Sequence, residues 1–163
     1  MKQLLIVWHS RTGAARAMAE AAVRGAAGEP EVTPRLAPAE LVQAGDLLSA
    51  DGYLFACPEN LAAMSGAMKE FFDRNYYAVL DQLNGRPYAA MIAAGSDGTG
   101  AARQMARICT GWRLRAIAEP LIVGTHAQTA EAILAPKTLG AADLKACADL
   151  GAGLALGMAM GVF

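Results

Sequence analysis

Cysteine is scarce, net charge is nearly absent, and no apolar run is long enough to cross a bilayer. The three cysteines, Cys57, Cys109 and Cys147, are widely spaced and form no C-x-x-C pair. They read as small buried hydrophobes rather than a redox or metal motif. A formal net charge of −1, with 18% charged residues, predicts no nucleic-acid binding and no strong electrostatic steering. It also argues against a strongly acidic electron shuttle that docks on basic partners. The apolar C-terminal run Leu154–Phe163 is too short for a membrane span, so no membrane partner is expected, and its glycines suit close helix packing. Met1-Lys2-Gln3 leads straight into a strand-like pattern with no signal-peptide cleavage site, so a cytoplasmic protein is expected. Repeats, low-complexity tracts and linkers are missing, and 163 residues fit one domain with a sizeable core.

Familiar catalytic patterns are missing too. No His, Cys or carboxylate cluster has metal spacing, and no Ser-His-Asp elbow is visible. Cys109-Thr110-Gly111-Trp112-Arg113-Leu114-Arg115 satisfies the C-x5-R pattern of thiolate phosphatases. That chemistry needs the cysteine under a helix N-terminus. Here Cys109 falls at the end of a helical pattern, where the dipole disfavours a thiolate.

What the chain does have is alternation of strand and helix. Met1–Trp8 is a continuous apolar run, the pattern of a strand buried on both faces. Residues from Thr12 or Gly13 to Ala27 read as a helix ended by Gly25 and Gly28. Glu31–Leu36 alternates and carries Pro34, which places it near a sheet edge. Pro38–Leu48 is a short helix or turn. Tyr53–Cys57 is the next strand, broken by Pro58-Glu59-Asn60-Leu61. Ser65–Arg74 is a helix with Ser65 as N-cap; Tyr76 and Tyr77 follow it. Tyr88–Ala94 is a strand, Ala101–Cys109 a helix, and Trp112–Val123 a last strand or strand pair interrupted by Pro120. Gly124–Gly140 is irregular, with a turn of helix at Thr129–Leu134. Ala141 to about Met160 closes the chain as a helix. This series predicts an α/β fold, a parallel sheet covered on both faces.

In such a sheet the strand-to-helix loops emerge at the carboxyl edge, where ligands bind at the reversal of strand order. Three loops fall there: Ser10–Ala15, Pro58–Ser65 and Gly95–Gly100. The first is a hydroxyl-rich turn entering a helix. The first amides of a helix lack internal partners, and Ser10 and Thr12 add hydroxyls. This composition serves either as an ordinary helix cap or as a phosphate site; the company of the other two loops favours phosphate. Pro58–Leu61 is either a strand-ending turn or a mixed polar and apolar ligand edge. Gly95–Gly100 is spaced G-x-x-G-x-G, which is not the dinucleotide fingerprint. His9 lies beside the first loop, and His126 in the irregular segment, which could reach a ligand or a neighbouring subunit. The loops converge if the sheet has order 2-1-3-4-5.

The stretch His9-Ser10-Arg11-Thr12-Gly13-Ala14-Ala15 resembles the S/T-x-T-G-x-T phosphate loop of flavodoxins and of flavodoxin-like NAD(P)H-dependent FMN and quinone reductases. Pro58 to Arg74 is similar to the P-x-x-x-x-x-M-S-G-x-M-K-x-F-x-D-R segment of those reductases, and Gly95–Gly100 to their third loop. The resemblance implies a flavodoxin-like three-layer sandwich with a five-stranded parallel sheet. It implies FMN as cofactor and NAD(P)H as co-substrate, reducing flavin, a quinone or another small-molecule electron acceptor. The residues it implies at the cofactor are Ser10, Arg11, Thr12, Gly13, Ala14 and Ala15 in the first loop, Pro58, Glu59, Asn60 and Leu61 in the second, and Gly95, Ser96, Asp97, Gly98 and Gly100 in the third. No catalytic side chain is implied; backbone groups near Asn60 and Gly95 would tune the ring. The last threonine of the phosphate loop is replaced by Ala15, so amides, with Arg11 or Arg16 adding charge, must compensate. A homodimer or homotetramer is expected from the family and from the glycine-rich last helix. An electron-transfer flavodoxin, or a flavin-binding regulatory module without turnover, is the alternative.

Overall fold

A computed structural model describes residues 1–163. The elements in chain order are β1 (Lys2–Trp8), α1 (Ala14–Ala26), β2 (Val32–Pro38), α2 (Ala44–Ser49), β3 (Gly52–Asn60), β4 (Ala63–Met64) and α3 (Gly66–Val79). They continue with β5 (Pro87–Ala94), α4 (Thr99–Gly111), β6 (Arg115–Ala116), β7 (Leu121–Gly124), α5 (Ala130–Leu134) and α6 (Ala141–Met160). The parallel sheet runs β2-β1-β3-β5, with β6 and β7 both pairing with the outer side of β5. Counting β6 and β7 as two pieces of one edge strand, this is the 2-1-3-4-5 order. Strand β4 lies off this path as an antiparallel partner of the end of β3.

The sheet is one layer of three because its strands are apolar on both faces. In β1, Leu5 and Val7 join the core under α2, α3 and α4, while Leu4 and Ile6 join the core under α1 and α6. Strand β5 is buried along its whole length and divides in the same way: Tyr88, Ala90 and Ile92 to one side, Ala89, Met91 and Ala93 to the other. The α3 side is aromatic: Phe55 and Phe72 meet edge-on at 5.0 Å, and Phe72 meets Trp112 at 5.0 Å. The opposite side is built from alanine and glycine, which lets α1 and α6 approach closely. A Cβ on Gly25 would sit 1.9 Å from the Ala148 carbonyl oxygen, and one on Gly151 would sit 2.1 Å from that of Ala22. Gly157 packs against the ring of Phe163. Gly25, Gly151 and Gly157 therefore serve packing within the chain.

Several boundaries differ from the sequence reading. Strand β3 does not stop at Cys57 but runs through Pro58 to Asn60. Proline is tolerated because Pro58 occupies the last rung of the β3–β5 ladder, opposite Ala93. Helix α3 extends to Val79 and so contains Tyr76 and Tyr77. Trp112 is not in a strand: it closes α4 and is buried. The last strand survives only as the short pieces β6 and β7, separated around Pro120. Cys57, Cys109 and Cys147 are free and buried, and burial pushes each thiol up, Cys57 to about 12 and Cys147 to about 11. Cys109 in the last turns of α4 therefore has no thiolate character. No helix is long and apolar enough to cross a membrane.

Candidate functional site

The first loop begins where β1 ends. Gly13 takes φ 105°, a left-handed conformation open to glycine, and no side chain caps α1. Ser10 Oγ accepts from the Gly13 amide at 3.0 Å, which curls the turn. The amides of Ser10, Arg11, Thr12, Ala14, Ala15 and Arg16 have no acceptor within the protein. Converging unpaired amides at the positive end of a helix form a seat for an oxyanion. Ala15 keeps its methyl in the α1-side core while its amide belongs to this seat, so the missing threonine costs a hydroxyl but no amide.

The second loop is a two-residue hairpin between β3 and β4. Leu61 and Ala62 sit at φ 51° and 62°, both left-handed, the geometry of a type I′ turn without its usual asparagine and glycine. Leu61 is fully exposed at its tip. The third loop is fastened to the second. The Glu59 carboxylate accepts from the Gly98 amide at 2.9 Å and from the Ala101 amide at 3.1 Å, capping α4 in place of an N-cap side chain. Gly98 needs its φ of 93°, and a Cβ on Gly100 would lie 2.1 Å from the Ala62 carbonyl oxygen. With its amide oriented to suit both neighbours, Asn60 accepts from Arg11 Nε at 3.2 Å and donates to the Glu59 carbonyl at 3.1 Å. The first and second loops thus meet.

Between them lies a cavity of about 150 Å³ that opens to solvent. Its walls include Ser10, Arg11, Thr12, Ala14, Ala15, Pro58, Glu59, Asn60 and Gly95, nine of the residues expected from the sequence. Gly13, Leu61, Ser96, Asp97, Gly98 and Gly100 lie outside its walls. Gly13, Gly98 and Gly100 shape the loops instead, and Asp97 accepts from the Thr99 hydroxyl at 2.8 Å. The remaining wall comes from Ala93 and Ala94 at the end of β5 and from the Gly124–Gly140 segment. Thr125 and Ala127 follow β7, and Ile133, Leu134 and Lys137 come from α5 and the turn after it. This strap is tied at both ends of the cavity. The Thr125 amide donates to Ala94 O at 2.7 Å, and the Lys137 amide donates to Thr12 O at 2.8 Å. No periodic pattern marks these residues; the one cue was a lysine in a stretch otherwise poor in charge. His126 packs its ring over Gly124 and is not part of the wall.

Two expected neighbours of the first loop are engaged elsewhere. His9 Nδ1 lies 2.8 Å from Ser65 Oγ, and its Nε2 lies 3.8 Å from Glu40. Burial lowers its pKa, Glu40 opposes this, and Arg11 adds to it. Arg16 pairs with Glu20 at 2.8 Å and lies over the Trp8 ring at 5.3 Å, so it does not face the cavity. No group of three or more His, Cys, Asp and Glu residues is arranged to hold a metal.

The cavity thus joins a set of unpaired amides to a wall that includes proline and alanine side chains. Comparison with known proteins gives the family and the fold. Residues 37–128 match the family model described as NADPH-dependent FMN reductase. A flavodoxin of Aquifex aeolicus (strain VF5) is 30% identical over 100 residues, covering 61% of this chain and 54% of that protein. The chain thus matches about half the length of that relative. In three dimensions an archaeal flavodoxin superposes with a TM-score of 0.77 at 20% identity, over 94% of this chain and 96% of that one. The rubredoxin oxygen:oxidoreductase of Desulfovibrio gigas gives 0.75 at 14% identity, over 97% of this chain and 36% of that one. At these identities the superpositions establish the flavodoxin-like fold.

Proposed function

Since the chain belongs to the NADPH-dependent FMN reductase family, we propose that it binds FMN noncovalently and catalyses NAD(P)H-dependent reduction of flavin, a quinone or another small acceptor. The observation that carries this reading is the set of unpartnered amides of Ser10, Arg11, Thr12, Ala14 and Ala15, residues that line the same cavity as Asn60 and Gly95. Bound FMN supplies the hydride and electron chemistry; the protein supplies the site. The amides of Ser10, Arg11, Thr12, Ala14 and Ala15 and the Thr12 hydroxyl hold the phosphate. Pro58, Asn60, Ala94 and Gly95 flank the ring, and peptide groups at Asn60 and Gly95 meet its polar edge. Glu59 spends its carboxylate on α4, which fixes the spacing between the second and third loops. No side chain is assigned a proton-transfer role. Exposed Leu61, Ile133 and Leu134 near the mouth suit an apolar acceptor or a neighbouring copy in a homodimer or homotetramer.

A carrier is the second reading, supported by the similarity to the Aquifex aeolicus flavodoxin. Purified protein should be yellow and release FMN on denaturation; colourless protein that takes up no FMN overturns both readings. Oxidation of NADPH or NADH in the presence of a quinone separates them. Turnover without a partner protein supports the reductase. Flavin reduced only through a separate reductase protein supports the carrier.

A further inference from the structure

Lys137 stands at the phosphate end of the cavity, although the phosphate loop of the sequence motif ends 122 residues earlier, at Ala15. Its amide donates to Thr12 O at 2.8 Å, and its Nζ donates to Thr12 Oγ1 at 3.3 Å. The other Nζ contacts are carbonyls, Ile133 O at 2.9 Å and Ala135 O at 2.6 Å. No carboxylate pairs with this ammonium. It is half-buried and lines the cavity wall. Arg16, the nearest cation along the helix, is committed to Glu20 and Trp8.

From this arrangement we infer that Lys137 is a phosphate-recognition residue, adding a second cation to Arg11 of the first loop and orienting the Thr12 hydroxyl. The inference rests on the proposed FMN site. A threonine hydroxyl has one proton to give and lone pairs to receive. By donating to Thr12 Oγ1, Lys137 occupies a lone pair and leaves the hydroxyl proton free for an anion. Thr12 makes no other side-chain hydrogen bond. The ammonium also places a full positive charge, uncancelled by any carboxylate, beside the amide seat. Charge-assisted contacts are roughly twice as strong as neutral ones, so the strap compensates for the hydroxyl missing at Ala15. The role belongs to phosphate and not to the ring, because Lys137 meets Thr12 and not Asn60 or Gly95.

The test compares two flavins that differ only in the phosphate. Dissociation constants of FMN and riboflavin are measured by fluorescence quenching on flavin-free protein, for the wild type, Lys137→Gln and Lys137→Arg. Lys137→Gln should raise the FMN constant about tenfold or more and leave riboflavin unchanged; Lys137→Arg should restore most of the preference for FMN. Equal weakening of both flavins would mean that Lys137 only packs the strap, and overturns the inference. So does an unchanged FMN constant in a wild type that prefers FMN. A wild type that binds neither flavin overturns the FMN reading and this inference together.

Discussion

The carboxylate of Glu59, at the end of one strand, accepts the Gly98 amide at 2.9 Å and so caps a helix that begins 40 residues later. Two of the three loops around the cavity are therefore one mechanical unit. Replacing Glu59 with alanine should cost about 1 kcal/mol, as loss of a helix cap does, and lower Tm by about 2–4 °C. Calorimetry on flavin-free protein measures it. Glu59→Gln, which keeps an acceptor oxygen, should lose less.

Gly100 tests the same unit by sterics. Its Cβ would fall 2.1 Å from the Ala62 carbonyl oxygen, whereas nothing lies within 4 Å of a Cβ on Gly66. Gly100→Ala should destabilise by about 1–3 kcal/mol through overpacking, read from urea midpoints at constant slope. Gly66→Ala should be neutral or stabilising by up to about 1 kcal/mol.

Thr12→Asp places a carboxylate in the amide seat and gives Lys137 an anionic partner of its own. FMN affinity should fall at least about tenfold, because a like charge now faces the phosphate. Titration of flavin-free protein decides it, and full retention of affinity would remove the seat from the phosphate.

His9 makes stability depend on pH. Its pKa is held below the ordinary value of about 6.5, first by burial, with Arg11 adding and Glu40 opposing. The folded chain thus binds this proton less readily than the unfolded chain. Its contribution to stability is complete above about pH 6.5 and is lost as pH falls through the lowered folded value. Tm should decline from pH 7 to pH 5, and His9→Gln should flatten that decline. Asp46, lowered by its hydrogen bond to Arg35, adds its own loss only below about pH 3.9.

The fold was legible where physics is local. A run such as Leu4–Val7 has to be buried on both faces, and Gly13 after a hydroxyl-rich turn has to open a helix. Strand order came with the resemblance to flavodoxins, and it is the order in which the three loops converge. Less visible was what distant contacts decide. Pro58 continues a strand because it sits on the last rung, and Leu61-Ala62 adopts a turn that its residue types disfavour because the Glu59 cap and Gly100 hold it. Glu59, expected at the ligand, lines the cavity and also caps α4, a second role that its sequence position does not reveal. The strap from Thr125 to Lys137 carries no periodicity, so its residues allow a reach toward a ligand without specifying which of them close the cavity.

The bond between Lys137 and Thr12 spans 125 residues, and the contacts of Gly25 with Ala148 and of Gly151 with Ala22 are of similar range. The cavity's phosphate end is therefore unfinished until the last quarter of the chain has been synthesised and has folded back on the first. During synthesis the early strands can pair before that point, but the wall of the cavity is still incomplete. A closed cavity thus reports completion of the whole fold.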